Sequence, residues 1–243
     1  ADLTAAETAY SALAGNAIDD VIAKIDAIGT VAYTDASKAL LDAANTAYNA
    51  LVEGDDAAIT NADTLTAANT AYDTLKNAAI ANAITKIDAI GDVVYTNASK
   101  ALIDDARDAY DVILEEDQDE ITNVAKLTDA ETLYNNVDAV VAKIDAIGTV
   151  AYTDASKTLI DDAKAAYDKL TTAELAIIPA DKVNTLNTAY NLYYNVDDVV
   201  SLIDLINFEY SDDCKDDIDA ARSAYNALGD TEIFKEKIDS IPE

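Results

Sequence analysis

The sequence predicts an all-α protein made of tandem three-helix bundles, joined end to end through long shared or kinked helices into an elongated rod. Three observations predict this fold. Blocks of sequence recur about every 60 residues, apolar residues follow one another at intervals of three and four, and residues 63–90 contain neither glycine nor proline. A repeat of this length indicates an array of supersecondary units, and the three-and-four spacing is that of one helix face.

The repeat is carried by the pentapeptide Ile-Asp-Ala-Ile-Gly. It begins at Ile25, Ile87 and Ile144, and a looser copy begins at Ile203. After each copy come a tyrosine before Thr or Ser (Tyr33, Tyr95, Tyr152, Tyr210), a lysine after Ser or Cys, and ten residues later a second tyrosine (Tyr48, Tyr110, Tyr167, Tyr225). We predict an orphan third helix followed by four repeats, at residues 1–14, 15–76, 77–135, 136–194 and 195–243.

Each repeat is predicted to contain three helices, A, B and C. Helix A ends at a glycine that suits the left-handed cap, such as Gly29. Helix B begins at a Thr or Ser that caps its first turn, such as Thr34. We expect the apolar seam of helix B to run through Leu40, Ala44, Ala47 and Leu51, and through Leu102, Ala106, Ala109 and Ile113 in the second repeat. Between helices B and C of the third repeat, Thr171 and Glu174 form a predicted capping box.

Helix C carries the seam Leu65, Ala68, Tyr72 and Leu75. The sequence aligns its tyrosine with Tyr10, Tyr134 and Tyr190, which leaves Tyr193 and Tyr194 outside the pattern. With no breaker in residues 63–90, helix C of one repeat can continue into helix A of the next over roughly 42 Å, as in spectrin-like arrays. Alternatively, an asparagine near each boundary caps a fresh helix A (Asn16, Asn77, Asn136, Asn195).

Composition excludes several classes of function. The chain has 47 acidic and 16 basic residues, a net charge of −31, no histidine and one cysteine. Histidine-dependent catalysis and zinc sites are therefore excluded. Nucleic acids and anionic lipids would be repelled by such a surface. No apolar run is long enough to span a bilayer. We predict no catalytic and no cofactor-binding residue, because the carboxylates recur on predicted exposed helix faces rather than in a cleft.

Three features remain as candidate sites. The acidic tract with Glu116, Asp117, Asp119 and Glu120 offers oxygen ligands for Ca²⁺, although it lacks the glycine of an EF-hand and a solvated loop is favoured. Tyr194 is the aromatic residue that predicted packing explains least, so it is a candidate anchor for a protein partner. Cys214 replaces the serine of the other repeats and is either a partly buried free thiol or an intermolecular crosslink.

The segment VVAKIDAIGTVAYTDASKTLIDDAKAAYDKLT (residues 140–171) and the Leu…Ala-Tyr helix after it resemble the three-helix repeats in large modular surface proteins of Gram-positive anaerobic bacteria. The resemblance covers nearly the whole chain and implies a secreted or wall-displayed protein whose repeats act as spacers or adhesive stalks. The expected partners are then neighbouring domains of a longer chain.

Two alternatives stay open. The chain begins with a helix C lacking its own A and B, and its fourth helix C is cut to residues 237–241. Either a longer array was trimmed at these points, or copies associate head to tail into a filament or a surface layer. The second alternative is a helical module that binds a host protein, whose identity the sequence does not give.

Overall fold

A computed structural model describes residues 2–207 and 210–228, and this part of the chain is helical without a strand. The all-α prediction is confirmed. No helix in these residues has both the length and the apolarity needed to cross a membrane. The helices are α1 (Leu3–Ala27), α2 (Asp35–Asn49), α3 (Ala62–Ala89), α4 (Asn97–Asp111), α5 (Val124–Ile147), α6 (Asp154–Tyr167), α7 (Thr172–Ile177), α8 (Ala180–Asp204) and α9 (Asp212–Ala227), with 3-10 turns at Asp55–Ala58 and Glu115–Glu120.

Four long helices run across the predicted repeat boundaries. Helix α3 has 28 residues, and α1, α5 and α8 have 25, 24 and 25. Asn77 lies in the interior of α3, so the alternative in which this asparagine caps a fresh helix is wrong. The prediction that the helix continues through the boundary is confirmed for these segments. The predicted helix C at residues 237–241 lies outside the described residues.

The predicted helix ends are found where the sequence places them. Gly29, Gly91 and Gly148 adopt left-handed φ angles of 62°, 61° and 57°, which residues with a β-carbon rarely tolerate. The Thr34 side chain accepts the Ser37 amide at the start of α2, and the equivalent caps begin α6 and α9. These short signals end one helix and start the next within a loop of seven residues between α1 and α2.

The chain divides into two compact units, residues 1–91 with 102–127, and residues 92–101 with 128–243. In the first unit, α1, α2 and α3 share one hydrophobic core around Val21, Ile25, Leu41, Ala44 and Leu65. In the second unit, residues of α5, α6 and α8 form a core, and α8 and α9 form a smaller one. The repeated apolar positions of the sequence therefore supply the cores.

Two predicted positions of the helix B seam, Leu40 and Leu102, are wrong by one residue. Leu40 and Leu102 are 40% exposed, whereas their neighbours Leu41 and Ile103 are 3% and 4% exposed. The next buried alanine lies three positions after Leu41 and Ile103 and four positions after Leu40 and Leu102, so both choices keep a helical spacing and only the structure identifies the core residue. Leu75 is likewise 41% exposed, so the helix C seam does not continue through it.

The tyrosine alignment in α8 is also corrected. Leu186, Ala189 and Tyr193 are buried and keep the three-then-four spacing of Leu65, Ala68 and Tyr72. Tyr193 is therefore the repeat tyrosine, and Tyr190 and Tyr194 are the additional ones. The sequence pattern misled because Ala-Tyr also occurs at Tyr190, one turn earlier on the helix.

Candidate functional site

The same three-residue arrangement is built at three places in the structure. A tyrosine from the loop between helices A and B contacts the repeat tyrosine of a long helix, and its hydroxyl donates a hydrogen bond of 2.7 Å to an aspartate. We call this arrangement a tyrosine–acid joint. The three joints are Tyr33–Tyr72–Asp117, Tyr95–Tyr134–Asp138 and Tyr152–Tyr193–Asp197, with ring centroids 5.6, 5.0 and 5.1 Å apart.

The loop that carries each joint tyrosine is fixed on both sides. The hydroxyl of Ser37 accepts the amide of Ala32 at 3.2 Å, while the amide of Ser37 donates to the capping Thr34. Tyr33 lies between Ala32 and Thr34, which both bond to Ser37. Ser99 and Ser156, which are buried like Ser37, make the same bonds in the loops of the other two joints. The repeated Tyr-Thr and Ser-Lys pairs of the sequence therefore orient the tyrosine.

The source of the acid differs with the spacing between the tyrosine and the pentapeptide isoleucine of the long helix. In the second and third joints the aspartate lies four residues after the helix tyrosine, as Asp138 follows Tyr134, so both occupy one helix face. In these helices the tyrosine precedes the isoleucine of the pentapeptide by ten residues. In α3 the corresponding residues, Tyr72 and Ile87, are separated by five residues more. The acid there comes instead from Asp117, in the 3-10 turn after α4.

The first joint buries a charge and compensates it. Asp117 is only 6% exposed, and it accepts hydrogen bonds from Tyr33 at 2.7 Å and from the ammonium of Lys76 at 2.6 Å. Lys76 occupies the position four residues after Tyr72, where the other joints have their aspartate. Glu120 contacts the same ammonium at 2.7 Å. The lysine thus replaces the helix acid and holds the loop acid.

Burial and hydrogen bonding shift the pKa values of these groups. Burial acts to raise the pKa of Asp117, but the hydrogen bonds from Lys76 and Tyr33 outweigh it and lower that pKa below its ordinary value. Burial, followed by the hydrogen bond to Asp117, raises the pKa of Tyr33 to about 12. Burial also raises the pKa of Tyr95 and of Tyr152, followed by their hydrogen bonds to Asp138 and Asp197. The three loop tyrosines are therefore protonated at neutral pH, and in the first joint Tyr33 faces an ionised Asp117.

A second buried acid occupies the equivalent place in the next repeat. Glu174 lies seven residues after Tyr167, as Asp117 lies seven residues after Tyr110, and both acids are 6% exposed. The carboxylate accepts the Thr171 amide, completing the predicted capping box, and the Asn136 amide, both at 2.6 Å. These bonds lower the pKa of Glu174. Here neutral donors take the part that Lys76 has at Asp117.

Three of the four predicted calcium ligands contact lysine side chains instead. Asp117 and Glu120 bind Lys76, and Glu116 lies 3.4 Å from Lys38. Asp119 is exposed. Within the described part of the chain, no group of three or more carboxylates or thiols is arranged to hold a metal ion. The favoured prediction of a solvated acidic loop is wrong at Asp117, because this side chain closes the first joint.

Tyr194 makes intramolecular contacts that the sequence did not predict. Its ring lies 4.5 Å from that of Tyr190, its hydroxyl donates to Asp161 at 2.5 Å, and Lys157 donates to that hydroxyl at 2.7 Å. The side chain is half-buried. The premise that packing does not explain Tyr194 is therefore wrong, and the residue belongs to a small network that includes the Lys157–Asp161 ion pair.

Cys214 is a free, half-buried thiol in the first turn of α9. It lines a shallow groove with Tyr210 and Ile218. The partly buried thiol of the prediction is thus observed. Its amide donates to Ser211 at 3.2 Å, as the serine amides do in the other loops.

Sequence reasoning missed the acid halves of the joints. Asp138 and Asp197 each follow a helix tyrosine by four residues, a signal that was present but obscured by the misassigned Tyr190. Lys76 carried no signal, because its role depends on a loop that lies 41 residues away in sequence. Comparison with protein-family models, curated proteins and solved structures finds no match to this chain.

The first joint offers a matched pair of substitutions. Tyr33→Phe removes a hydrogen bond to a buried carboxylate and an acceptor for the Leu114 amide, so we expect the free energy of unfolding to fall by about 1.5–3 kcal/mol. Tyr72→Phe removes a buried hydroxyl that has no partner among the described residues, so stability should stay unchanged or rise by up to about 1 kcal/mol. Urea denaturation measures both, and equal losses would contradict the joint.

The lowered pKa of Asp117 predicts a pH dependence. A carboxylate with a lowered folded-state pKa contributes stability above its ordinary pKa, here 3.8, and loses it as the pH falls through the folded value. The stability advantage of the wild type over Asp117→Asn should therefore be full above about pH 5 and shrink below the ordinary carboxyl pKa. Denaturation between pH 2.5 and 7 measures it. Asp119→Asn, in the same turn but exposed, is the control, and identical profiles for both variants would contradict the assignment.

Proposed function

We propose that this protein is a non-enzymatic structural repeat protein that acts as a spacer or stalk in a bacterial cell-surface or adhesin-like protein. The observation that carries the proposal is the tyrosine–acid joint, built three times from one chemistry. Each joint connects the A–B loop and helix C of one predicted repeat to an acid of the next predicted repeat. A spacer needs links between adjacent modules that resist bending, and such joints supply them beside a continuous helix.

The joints suit this role physically. A helix that is the only connection across a junction can bend there, because no second contact opposes the motion. A hydrogen bond from the loop on one side of the junction to an acid on the other opposes bending, because bending would separate the donor from the acceptor. In the first joint the ion pair of Lys76 with Asp117 adds a further contact across the junction.

Composition supports the same proposal. The net charge of −31 keeps copies of the chain apart in solution and discourages non-specific association. The loop tyrosine hydroxyls each donate to an aspartate, and burial with this hydrogen bond raises the pKa of Tyr95 and Tyr152, which fits a packing role better than a reactive one. The extracellular location is carried over from the resemblance to surface-protein repeats and is part of the proposal.

The host-protein-binding alternative loses its candidate anchor. Tyr194 was its only named residue, and the ring and hydroxyl of Tyr194 are engaged with Tyr190, Lys157 and Asp161. Head-to-tail self-association stays the first alternative to the spacer proposal.

Small-angle scattering tests the spacer proposal. A compact domain of this length has a radius of gyration of about 18 Å, and a spacer should exceed this value clearly at infinite dilution. A variant with residues 136–194 inserted a second time after residue 194 keeps the junction spacing. Its radius of gyration should rise by roughly a quarter for a linear array, against less than about a tenth for a compact body. A radius of gyration equal to that of a compact domain, together with the smaller rise, would contradict the proposal.

A further inference from the structure

Tyrosine is the main residue through which this chain can be oxidised. The sequence has 14 tyrosines and one cysteine, and it contains no tryptophan, no methionine and no histidine. These five residue types carry the side chains that oxidants attack most readily, with cysteine and methionine among them. A one-electron oxidant that meets this protein therefore acts on its tyrosines and on the thiol of Cys214.

In the second and third joints, the two tyrosine rings are stacked on each other. The ring centroids of Tyr95 and Tyr134 are 5.0 Å apart at an interplanar angle of 25°, and those of Tyr152 and Tyr193 are 5.1 Å apart at 29°. Rings at this separation are in contact. A bond between an ortho carbon of one ring and an ortho carbon of the other therefore requires a change in ring orientation, and not the approach of distant groups.

Each loop tyrosine of these two pairs also has a base for its phenolic proton. Tyr95 donates to Asp138 and Tyr152 donates to Asp197, both at 2.7 Å, which is within reach of direct proton transfer. Burial and these hydrogen bonds raise the pKa of both tyrosines, so neither reacts as a phenolate at neutral pH. Loss of an electron, however, turns a phenol into a strong acid, and the carboxylate already bonded to it then accepts the proton.

We propose that the pairs Tyr95–Tyr134 and Tyr152–Tyr193 are sites of oxidative crosslinking, where two equivalents of a one-electron oxidant, such as the ferryl haem of a peroxidase, join the rings as dityrosine. Each ring loses one electron to the oxidant. The phenolic proton of the loop tyrosine passes to its aspartate, and that of the helix tyrosine is released to water. The two phenoxyl radicals form one bond between ortho carbons, and the hydrogens of these carbons move to the phenol oxygens. Two electrons and two protons are lost in all.

The first joint is not a site of this kind. Its rings, Tyr33 and Tyr72, are 5.6 Å apart and tilted by 59°. Its acid, Asp117, is already bonded to the ammonium of Lys76, and the hydrogen bonds that lower the pKa of Asp117 in spite of its burial make it a weaker base. The hydroxyl of Tyr33 also accepts the Leu114 amide, which draws electron density from the oxygen that oxidation depletes.

The pair with the shortest ring separation is excluded by charge. Tyr190 and Tyr194 have centroids 4.5 Å apart. The ammonium of Lys157, however, lies 4.8 Å from the ring centroid of Tyr194 and donates to its hydroxyl at 2.7 Å. A cation held against both the ring and the oxygen opposes the loss of an electron from that ring. Ring distance alone therefore does not select the site, and the base without a bound cation does.

The crosslinks supply a covalent link that the chain cannot make with cysteine. One cysteine forms no disulfide within a chain. Tyr95 and Tyr134 are 39 positions apart in the sequence, and Tyr152 and Tyr193 are 41 positions apart. A bond that closes segments of this length restricts the unfolded chain as a disulfide does, so the crosslinked protein should unfold at a higher temperature. Each bond also fixes the loop tyrosine on its long helix.

The experiment oxidises the full chain with photogenerated tris(bipyridine)ruthenium(III), a cationic one-electron oxidant that the net charge of −31 attracts. All proteins carry Cys214→Ser, which removes the competing thiol and introduces the serine of the other repeats. Monomeric product is isolated by size exclusion, digested and mapped by mass spectrometry. A dityrosine appears as two peptides joined with the loss of two hydrogen atoms. Far-ultraviolet circular dichroism checks that each variant folds as its parent does.

The oxidised monomer should contain two joined peptide pairs, one with Tyr95 and Tyr134 and one with Tyr152 and Tyr193. Tyr134→Phe should lose the first pair and keep the second, and Tyr193→Phe should do the reverse. Tyr72→Phe, in the first joint, is the matched control and should keep both. A monomer without crosslinks, a crosslink in the first joint as abundant as the other two, or crosslinks scattered over other tyrosines in equal yield would each overturn the inference.

A further variant tests the base. Asp138→Asn keeps both rings of the second joint and removes the carboxylate that takes the proton, so the crosslink between Tyr95 and Tyr134 should form severalfold more slowly. The crosslink of the third joint, in the same molecule, is the internal reference and should form at its usual rate. Equal slowing of both crosslinks, or of neither, would overturn the assignment. The spacer proposal is tested by the radius of gyration and does not depend on this result.

Discussion

The structure depends on how the acids beside its long helices are hydrogen-bonded, above all the buried Asp117 and Glu174. An acid removed from water must receive hydrogen bonds or a cation, or its burial costs several kcal/mol. Asp117 receives both, from Tyr33 and Lys76, and Glu174 receives two amide donors. Once the acid is engaged in this way, the loop and the helix that supply its donors are held in one arrangement. The chain has 47 acidic residues, and Asp117 and Glu174 are the acids that are buried within its described residues.

The joints make the same tyrosine–aspartate hydrogen bond at two different spacings between the helix tyrosine and the pentapeptide isoleucine. When the helix tyrosine and the pentapeptide isoleucine are ten residues apart, the acid lies on the same helix, one turn after the tyrosine. Five additional residues in α3 rotate and displace the later part of that helix, and the acid is then supplied by a loop. Lys76 occupies the helix position that holds an aspartate in the other two joints, and its ammonium pairs with this loop acid. The tyrosine pair stays the same in all three joints, so it is the fixed element and the acid is the variable one.

Much of the fold is encoded in local patterns of the sequence. The caps at Thr34 and Gly29 and the uninterrupted helix α3 depend on residues close together in the chain, and each was predicted from them. The seam of helix B was displaced by one residue at Leu40, since two adjacent leucines satisfy a helical period almost equally. Tyr193 was misassigned for a similar reason, because Tyr190 lies one turn away. The contact between Lys76 and the acid of the first joint joins residues 41 positions apart, and no local pattern encodes it.

The central claim is that a loop tyrosine and an acid are energetically coupled across each junction. A double-mutant cycle in the third joint tests it most directly, with Tyr152→Phe, Asp197→Asn and both together, each measured by urea denaturation. The hydrogen bond of 2.7 Å to a half-buried carboxylate predicts a coupling free energy of about 1 kcal/mol or more. Additivity of the two single substitutions within about 0.3 kcal/mol would contradict the account.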